Sequence, residues 1–388
     1  MHSLPGFGME VAQLREALAA HNLEVVVLSE PGSICFATGF AVPLPIGAGT
    51  AFAGGPILAA VGVETSGLLV SGSEAGAAKQ DSHADALTVY SAFDHLTALD
   101  ARAEFLAAFD QLLRDVLPSN TPVVLGIEPR SLPALVVTHL AERYPRLTLR
   151  DASATVARAR MVKTPREIAL LRGAARAADA GQCALLAQSR SGVSELTLWN
   201  TVCGAIEAVA GGPVPITGEL VAGTRTSVVE YPGGPMARTI EPGDTIICDI
   251  SPCVSGYYAD CCNTLVAGDP APEQLRYFRA ARDAGEAAMH MLRPGKGASD
   301  AFEAARATFA RHGLPVAHYA GHGIGASVNE LPRLVPHDLT PIEAGMVFAV
   351  EPGAYAGQGG STGARCEKMV LVTADGPEIL SQFPWGLS

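Results

Sequence analysis

The chain has 388 residues, of which 48% are hydrophobic and 17% charged, and its formal net charge is −12. This length accommodates two domains that each bury a core of their own. The negative charge argues against the backbone of a nucleic acid and against an anionic membrane surface as binding partners.

The first part of the sequence alternates helical and strand patterns. It begins without a basic segment followed by a continuous apolar run, so we expect no signal peptide. Residues 31–63 carry no charge, but their prolines and glycines argue against a membrane-spanning helix, and we expect buried strands and loops there. Helices are predicted over 9–20, 101–117 and 132–143, and strands over 23–29, 33–40, 67–72, 87–92 and 122–128.

A polar segment with a proline, Met161–Glu167, separates this part from the rest of the chain, and Pro165 suits the first turn of a helix. We therefore predict an α/β domain over residues 1–157 and a second domain over 158–388. In the second domain, helices are predicted over 165–188, 194–210, 272–291 and 299–312, with strand hairpins around 218–223 and 245–266. Because these helices and strands are segregated along the chain, we predict an α+β fold.

Acidic residues recur at strand spacing in two places, and a glycine-flanked histidine lies between them. Asp249 and Asp260 lie on predicted strands joined by a turn near residues 254–256, which predicts side chains directly opposite each other, about 5 Å apart. Glu351 and Glu367 lie on a second pair, and His322 is the histidine of GHGIG. Close carboxylates repel unless a proton or a cation lies between them. Four carboxylates and an imidazole suit a pair of divalent metal ions.

Eight cysteines are scattered without the spacing of a zinc finger or of a secreted disulfide scaffold. They predict reduced thiols in a cytoplasmic protein. Cys248, Cys261 and Cys366, which each neighbour a predicted ligand, are interpreted as small core residues. Cys262 is distinguished because it shares the predicted strand face of Asp260 and would approach the metals.

The same segments resemble the motifs of a known superfamily. GDTIICDISPCVSGYYADCCNTLVAG, HYAGHGIG, GMVFAVEPGAY and ARCEKMVLVT are similar, in this order, to motifs of the pita-bread metallopeptidases, which include Xaa-Pro dipeptidases, Xaa-Pro aminopeptidases and creatinase. The linker ARMVKTPREIALLRGAARAADAG also resembles the corresponding family segment. The resemblance implies a C-terminal pita-bread domain preceded by a creatinase-like N-terminal domain. It also implies a homodimer in which the N-terminal domain of one subunit caps the site of the other.

Carried over by residue, the resemblance implies that Asp249, Asp260, His322, Glu351 and Glu367 are the ligands of two divalent metal ions. Asp260 and Glu367 would bridge the ions, and Glu351 would also help to move a proton in catalysis. Mn²⁺ is the favoured ion for such an oxygen-rich set, with Co²⁺, Zn²⁺ and Fe²⁺ as alternatives.

Two histidines of the family peptidases are absent from this sequence. Asn329 takes the place of one, and Glu230 or Pro232 stands nearest to the other. Those histidines normally contact the substrate carbonyl or its tetrahedral intermediate, and losing one such contact costs on the order of 3 kcal/mol. Asn329 is interpreted as an amide donor to a substrate oxygen or as a plain loop residue. Glu230 is interpreted as an anchor for a cationic group, as a proton carrier, or as a solvated carboxylate.

Three further residues are candidates for contact with a substrate. His318 would hold the loop before GHGIG or touch the substrate, and Arg365 would orient a carboxylate in or near the site or form a structural ion pair. Phe36 would belong to an apolar wall contributed by the N-terminal domain, or pack in its core. The motifs Asp-Cys-Cys-Asn-Thr at 260–264 and Glu-Lys at 367–368 also depart from the family pattern, which ends in Thr-Arg-Thr and Glu-Asp.

We therefore predict a metal-dependent hydrolase that cleaves a C–N bond in a short peptide or a small molecule other than a standard Xaa-Pro peptide. One alternative is a metal-dependent lyase on the same fold, because some relatives eliminate across a C–S or C–N bond. The other is a binding protein that has lost catalysis, against which the complete ligand set argues.

Overall fold

The computed structural model describes residues 6–44, 52–117, 123–229 and 234–387. Packing divides the chain into two compact units, Met1–Arg160 and Met161–Ser388. The predicted boundary after residue 157 falls within the helix Ser153–Met161. Among the described residues, no helix combines the length and the apolar character needed to cross a bilayer.

The N-terminal unit is built on a six-stranded mixed sheet with the order β4-β3-β2-β1-β5-β6. Its strands are β1 Val25–Leu28, β2 Leu58–Val61, β3 Ser66–Ser71, β4 Ala86–Tyr90, β5 Val124–Ile127 and β6 Thr148–Asp151. Its helices are α1 Met9–Ala20, α2 Pro31–Thr38, α3 Ala75–Asp81, α4 Ala101–Val116, α5 Ala134–Arg143 and α6 Ser153–Met161. The central strands are short apolar runs buried on both faces, as expected for a sheet covered by helices.

The prediction of a strand over residues 33–40 is wrong, because this segment forms α2. Pro31 occupies the first turn, and Gly39 ends the helix with φ 75°, where a left-handed residue is required. The buried carboxylate of Glu128 accepts hydrogen bonds from the Ser29 and Glu30 N–H groups and from the Ser33 hydroxyl. Because α2 is buried all round, it lacks the apolar stripe that identifies an amphipathic helix.

Phe36 lies on α2 and is fully buried in the core of the N-terminal unit, where it belongs to the same cluster as Leu14 and Val26. A side chain with no exposed surface cannot touch a substrate. The alternative of core packing is therefore correct for Phe36, and its predicted contact with substrate is not retained.

The C-terminal unit combines two helix pairs with three antiparallel sheets. The helices are α7 Pro165–Gln188, α8 Glu195–Ala210, α9 Pro272–Met291 and α10 Ala298–Arg311. The first sheet has the order β10-β8-β7 with β9 paired to β8, the second has the order β12-β11-β13-β16-β17, and the third pairs β14 with β15. The strands are β7 Ile216–Ala222, β8 Thr245–Val254, β9 Tyr257–Tyr258, β10 Cys261–Val266, β11 Gly321–Gly323, β12 Glu330–Leu334, β13 Val347–Val350, β14 Gly353–Tyr355, β15 Gly363–Arg365, β16 Lys368–Thr373 and β17 Gly376–Ile379.

Helix α7 begins at a capping box, in which Thr164 and Glu167 satisfy each other's backbone N–H groups. It packs against α8 and lies on β8, while α9 packs against α10. A core of small and aromatic side chains, including Phe278, Phe309 and Phe348, joins the second helix pair to the five-stranded sheet. Segregated helices and strands agree with the α+β prediction.

The register of the β8–β10 hairpin differs from the prediction. A two-residue turn, Ser255-Gly256, has positive φ at both positions (52° and 80°), which is the type I′ geometry of tight hairpins. Cys262 therefore lies opposite Asp249, and Asp260 lies beside Ser251, whose hydroxyl donates to it at 2.9 Å. Asp249 and Asp260 share one face as diagonal neighbours and are not directly opposite.

Candidate metal centre

The five predicted ligands come from two adjacent sheets of the C-terminal unit. Asp249 lies on β8, Asp260 directly precedes β10, His322 lies on β11, Glu351 follows β13 and Glu367 precedes β16. The Glu367 N–H donates to the Cys262 carbonyl at 3.0 Å, which links the two sheets at this point. The sheets therefore present all five side chains at their junction.

Three of these residues form a cluster with metal-binding geometry. Ligand atoms of Asp260, His322 and Glu367 all lie within 4.8 Å of one another, and all three residues are buried. His322 Nε2 lies 3.6 Å from Asp260 Oδ2 and 3.2 Å from Glu351 Oε1. His322 Nδ1 donates to the Gly323 carbonyl at 2.9 Å, so Nε2 faces the carboxylates and is available as a ligand.

Burial makes this set of acids unfavourable without a cation. Burial, followed by the charges of Asp260 and Asp249, raises the pKa of Glu367 well above its usual range. Burial, followed by the charge of Asp249, does the same to the pKa of Asp260. Burial also raises the pKa of Asp249, to about 6, although the Arg365 charge opposes it.

His322 and Glu351 are shifted towards their charged forms by each other. Burial would lower the pKa of His322, but the hydrogen bond to Glu351 and the charges of Glu351 and Asp260 raise it to about 9. Burial opposes ionisation of Glu351, but the hydrogen bond and charge of His322 outweigh it, and its pKa is lowered. The pKa values of Asp249, Asp260 and Glu367 are shifted the opposite way, towards the protonated forms, so these three acids need a cation to be ionised together.

Glu367 gives the most direct sign of a cation site. Both of its carboxylate oxygens are buried, and neither has a hydrogen-bond partner within the described part of the chain. Buried carboxylates in proteins are normally hydrogen-bonded, paired with a cation or bound to a metal. An oxygen-rich donor set with one imidazole and an unsatisfied carboxylate fits divalent cations.

A cavity of about 390 Å³ opens onto these ligands. Four of the predicted ligands line it, namely Asp249, Asp260, His322 and Glu351, and the other walls are formed by Gly218, Glu219, Val229, Ser251, His318, Tyr319, Val328, Asn329 and Arg365. This volume falls in the range of small-molecule sites. The predicted candidates His318 and Asn329 therefore lie in the same cavity as the predicted ligands.

Comparisons with known proteins agree with this geometry. The profile of "Metallopeptidase family M24" matches residues 169–374, and that of "Creatinase/Prolidase N-terminal domain" matches residues 11–162. The Xaa-Pro dipeptidase of Lactobacillus helveticus is 30% identical over 257 residues, which are 65% of this chain and 68% of that protein. The chain belongs to metallopeptidase family M24.

Two further similarities extend this result. The probable dipeptidase PepE of Mycobacterium bovis is 31% identical over 268 residues, which are 68% of this chain and 70% of that protein. The crystal structure of the prolidase from Pyrococcus horikoshii superposes with a TM-score of 0.78 at 22% identity, covering 98% of this chain and 100% of that chain. The predicted pita-bread fold with a creatinase-like N-terminal domain is confirmed, and this M24 protein is a metallohydrolase of the Xaa-Pro peptidase type.

Arg365 contacts carboxylates of the site, which was one of its two predicted roles. Its Nη2 donates to Asp249 Oδ2 at 2.7 Å and to Glu219 Oε1, and its Nη1 donates to the Tyr355 hydroxyl at 3.1 Å. Arg365 is buried, and two acids already occupy its guanidinium. Its contacts support a role in orienting Asp249, and because Arg365 also lines the cavity, its contact with a substrate stays a prediction.

His318 is held by its neighbours and still faces the cavity. Its Nδ1 donates to the Tyr319 carbonyl at 2.8 Å, and its Nε2 lies 3.4 Å from the Tyr355 hydroxyl. Burial lowers the pKa of His318, which favours the neutral imidazole at pH 7. Glu230, the other predicted polar residue of the cavity, lies outside the described residues.

Four residues of the site were missed by sequence reasoning. Glu219 lies directly opposite Asp249 on β7, Ser251 bonds Asp260, and Tyr319 lines the cavity. The Arg333 guanidinium lies 5.0 Å from the centre of the Tyr319 ring. Side-chain alternation along the strands would predict that Glu219 lies on the same face as Asp249 only if the register between β7 and β8 were known.

Two departures from the family motifs have a structural explanation, because both residues bind the C-terminal segment 381–387. Asn263 donates to the Pro384 carbonyl at 3.1 Å and accepts from the Gly386 N–H at 3.0 Å. Lys368 donates to the Phe383 carbonyl, and its ammonium lies 3.2 Å from the centre of the Phe383 ring. Asn263 and Lys368, which replace the family's Arg and Asp, therefore hold this segment against β10 and β16.

Replacing Asn263 with alanine is expected to lower the free energy of unfolding by about 1–3 kcal/mol, because it removes two hydrogen bonds that this buried side chain makes to the C-terminal segment. Thermal unfolding of the two purified proteins measures the difference. Asn22, an exposed residue with positive φ in the turn after α1, provides a control substitution to glycine that should change stability little. Unchanged stability of the Asn263 variant would show that the segment is not held by this residue.

Proposed function

We propose that this protein is a dinuclear metal hydrolase that cleaves an amide bond in a short peptide or a small molecule. The observation that carries the proposal is the convergence of five ligand side chains beside a cavity, with both Glu367 oxygens buried and unpaired within the described residues. Asp249, Asp260, His322, Glu351 and Glu367 would hold the two ions, and the family resemblance supports Asp260 and Glu367 as the ligands shared by both. Mn²⁺ is the favoured ion, with Co²⁺, Zn²⁺ and Fe²⁺ as alternatives.

When bound, two divalent ions would polarise a carbonyl oxygen and lower the pKa of a coordinated water. The residues of this chain then bind the substrate, orient it and move protons. Glu351 lines the cavity with its pKa lowered, so its carboxylate is placed to accept a proton and pass it on to a leaving amine. Burial, followed by the charges of Glu351 and Glu367, raises the pKa of Tyr319, so the phenol stays protonated as a donor.

The cavity favours a substrate of about the size of a dipeptide. Its volume of about 390 Å³ is near the lower end for ligand sites, and Val229 and Val328 add apolar surface to it. The exposed Arg333 over Tyr319 offers a cation to an anionic group of the substrate. The relatives named above as dipeptidases support this substrate class.

Asn329 argues against efficient cleavage of standard Xaa-Pro peptides. Its amide can donate a hydrogen bond to a substrate oxygen, but unlike the histidine of family peptidases it cannot transfer a proton. Glu230, near the other missing histidine, is proposed to bind a cationic group or to carry a proton. We therefore propose a different short peptide or small amide as the substrate.

The test is a screen of Mn²⁺-loaded protein against Xaa-Pro dipeptides, other dipeptides and small amides, with Asp260→Ala as the control. We expect hydrolysis that requires metal and Asp260, incorporates ¹⁸O from labelled water, and is faster on at least one substrate without proline. Fast cleavage of Xaa-Pro peptides would contradict the argument that Asn329 disfavours these substrates. Product without label would favour a lyase, and inertness of the fully metallated protein would overturn the hydrolase proposal.

We further infer a homodimer in a reducing compartment such as the cytoplasm. The family resemblance supports the dimer, and the eight free cysteines, five of them buried, support reducing conditions. Light scattering should give about twice the chain mass of 40.0 kDa. A mass equal to that of one chain would contradict the dimer.

A further inference from the structure

A buried ion pair lies behind the wall of the cavity that carries Asn329. The Lys163 ammonium lies 2.6 Å from Glu330 Oε2, and the two side chains are only 1% and 7% exposed. Val328 and Asn329, which immediately precede Glu330, both line the cavity. The pair is therefore one residue away from the proposed substrate contact, without lining the cavity itself.

Glu330 closes the loop that presents these two residues. Its second oxygen, Oε1, accepts a hydrogen bond from the Ser327 N–H at 3.0 Å. One carboxylate thus holds both ends of the segment 327–330, with Lys163 on one oxygen and a backbone donor on the other. Because both oxygens are engaged, the carboxylate fixes the path of the backbone between them.

Lys163 is itself tied to rigid parts of the C-terminal unit. Its N–H donates to the Gly345 carbonyl at 2.9 Å, and the next residue, Thr164, caps helix α7. Gly325 packs directly on the pair, since a Cβ there would lie 2.8 Å from Lys163 Nζ and 2.7 Å from Glu330 Oε1. The Gly325 carbonyl also accepts from the Tyr258 N–H at 2.9 Å, which joins the loop to β9.

We propose that Lys163 and Glu330 are positioning residues that set the Asn329 side chain against the substrate. This proposal rests on the proposed function, in which Asn329 contacts a substrate oxygen. Buried ion pairs often add little stability compared with apolar side chains of similar size, so a pair retained here suits a role in fixing geometry. A shift of about 1 Å in a group that contacts the substrate can lower the reaction rate about 100-fold. An ion pair that holds Asn329 in place would therefore affect catalysis without touching the substrate.

The experiment is a double-mutant cycle between Lys163→Met and Asn329→Ala, with kcat and KM measured per metal-loaded site on the best substrate of the screen. We expect Lys163→Met alone to lower kcat/KM by about 10-fold or more, and to lower it less than about 2-fold in the Asn329→Ala background. Glu330→Gln should behave like Lys163→Met. Arg172→Met is the control. It breaks the half-exposed ion pair between Arg172 and Glu378, neither of which lines the cavity.

Hydrogen exchange of the same variants, measured without substrate, keeps the test independent of the enzyme assay. We expect Lys163→Met to speed exchange in residues 326–334 by about 10-fold and to leave β13 and β16 unchanged. Equal kinetic losses with and without Asn329 would overturn the proposal in favour of a general structural role. Unchanged exchange in 326–334 would also overturn it. If the wild-type protein is inert while the exchange result holds, the proposed function fails and the positioning of the loop stands.

If Lys163→Met does not fold, the cycle is completed with Lys163→Arg. Arginine keeps the charge but cannot reproduce the single ammonium contact, so a partial loss of kcat/KM that depends on Asn329 is expected. A loss that is independent of Asn329 would again overturn the proposal.

Discussion

Replacing Glu367 with glutamine is expected to stabilise the protein in the presence of a chelator and to abolish its stabilisation by Mn²⁺. Glu367 is a buried carboxylate whose oxygens have no hydrogen-bond partner within the described residues, and it lies close to Asp260. Removing this charge should raise the free energy of unfolding by about 1–3 kcal/mol when no metal is bound. Thermal unfolding with and without Mn²⁺ measures both effects.

The pH dependence of this gain follows from the direction of the pKa shift. Burial, followed by the charges of Asp260 and Asp249, raises the pKa of Glu367, so the folded protein holds this proton more tightly than the unfolded chain. The wild-type protein therefore loses stability as the pH rises above the unfolded pKa of the group. The advantage of the glutamine variant should be smallest at low pH and should grow as the pH rises.

The wild-type protein should gain about 2.7 kcal/mol from Mn²⁺ at 100 times its dissociation constant, and the variant should gain nothing. Glu378→Gln, at a side chain of strand β17 that is 43% exposed, controls for the general effect of this substitution. A glutamine variant that is less stable than wild type in chelator, or that still responds to Mn²⁺, would contradict the assignment of Glu367 as a ligand.

Replacing Arg365 with methionine is expected to lower the free energy of unfolding by about 3–5 kcal/mol, since it leaves two buried carboxylates without their cation. Arg365 donates to Asp249 and Glu219, and all three side chains are at least four-fifths buried. Mn²⁺ should restore part of the loss, because a metal bound to Asp249 would compensate one of the two charges. Denaturant unfolding in chelator and in Mn²⁺ measures the loss and the recovery.

A second substitution separates the effect of charge from the effect of packing. Glu219→Gln in the Arg365→Met background should recover stability, because one uncompensated charge is removed. Arg172→Met breaks a more exposed ion pair and should cost less than about 1 kcal/mol. If the Glu219 substitution deepens the loss, the contribution of Arg365 is not electrostatic, and its proposed role in orienting Asp249 fails.

The sequence predicted candidate ligands that the fold brings together, because the residue types and their order carry this information. The residues that lie opposite Asp249 and Asp260 could not be predicted, because the pairing of the two strands depends on the length of the turn between them. With Ser255 and Gly256 both at positive φ, the β8–β10 turn has two residues, and Asp260 lies beside Ser251 and not opposite Asp249. The side chains still share a face, so the error in register leaves Asp260 within the candidate metal site.

Other features depended on contacts between distant parts of the chain. Glu128 caps α2 from about 95 residues away, so local patterns predicted a strand where a buried helix forms. Arg365 was predicted either to orient a carboxylate in or near the site or to form a structural ion pair, and its contacts with Glu219 and Asp249, more than 100 residues away, support the first role. Asn263 and Lys368 departed from the family motifs for a reason that became visible only with the C-terminal segment packed on them.

The most direct test of the account is anomalous diffraction at the manganese edge from crystals of the protein soaked in Mn²⁺. We predict two peaks roughly 3.5–4 Å apart, both in contact with Asp260 and Glu367, with His322 bound through Nε2. No peak near these carboxylates, or ligand side chains that point away from a common centre, would contradict the central claim that this cluster holds two catalytic cations.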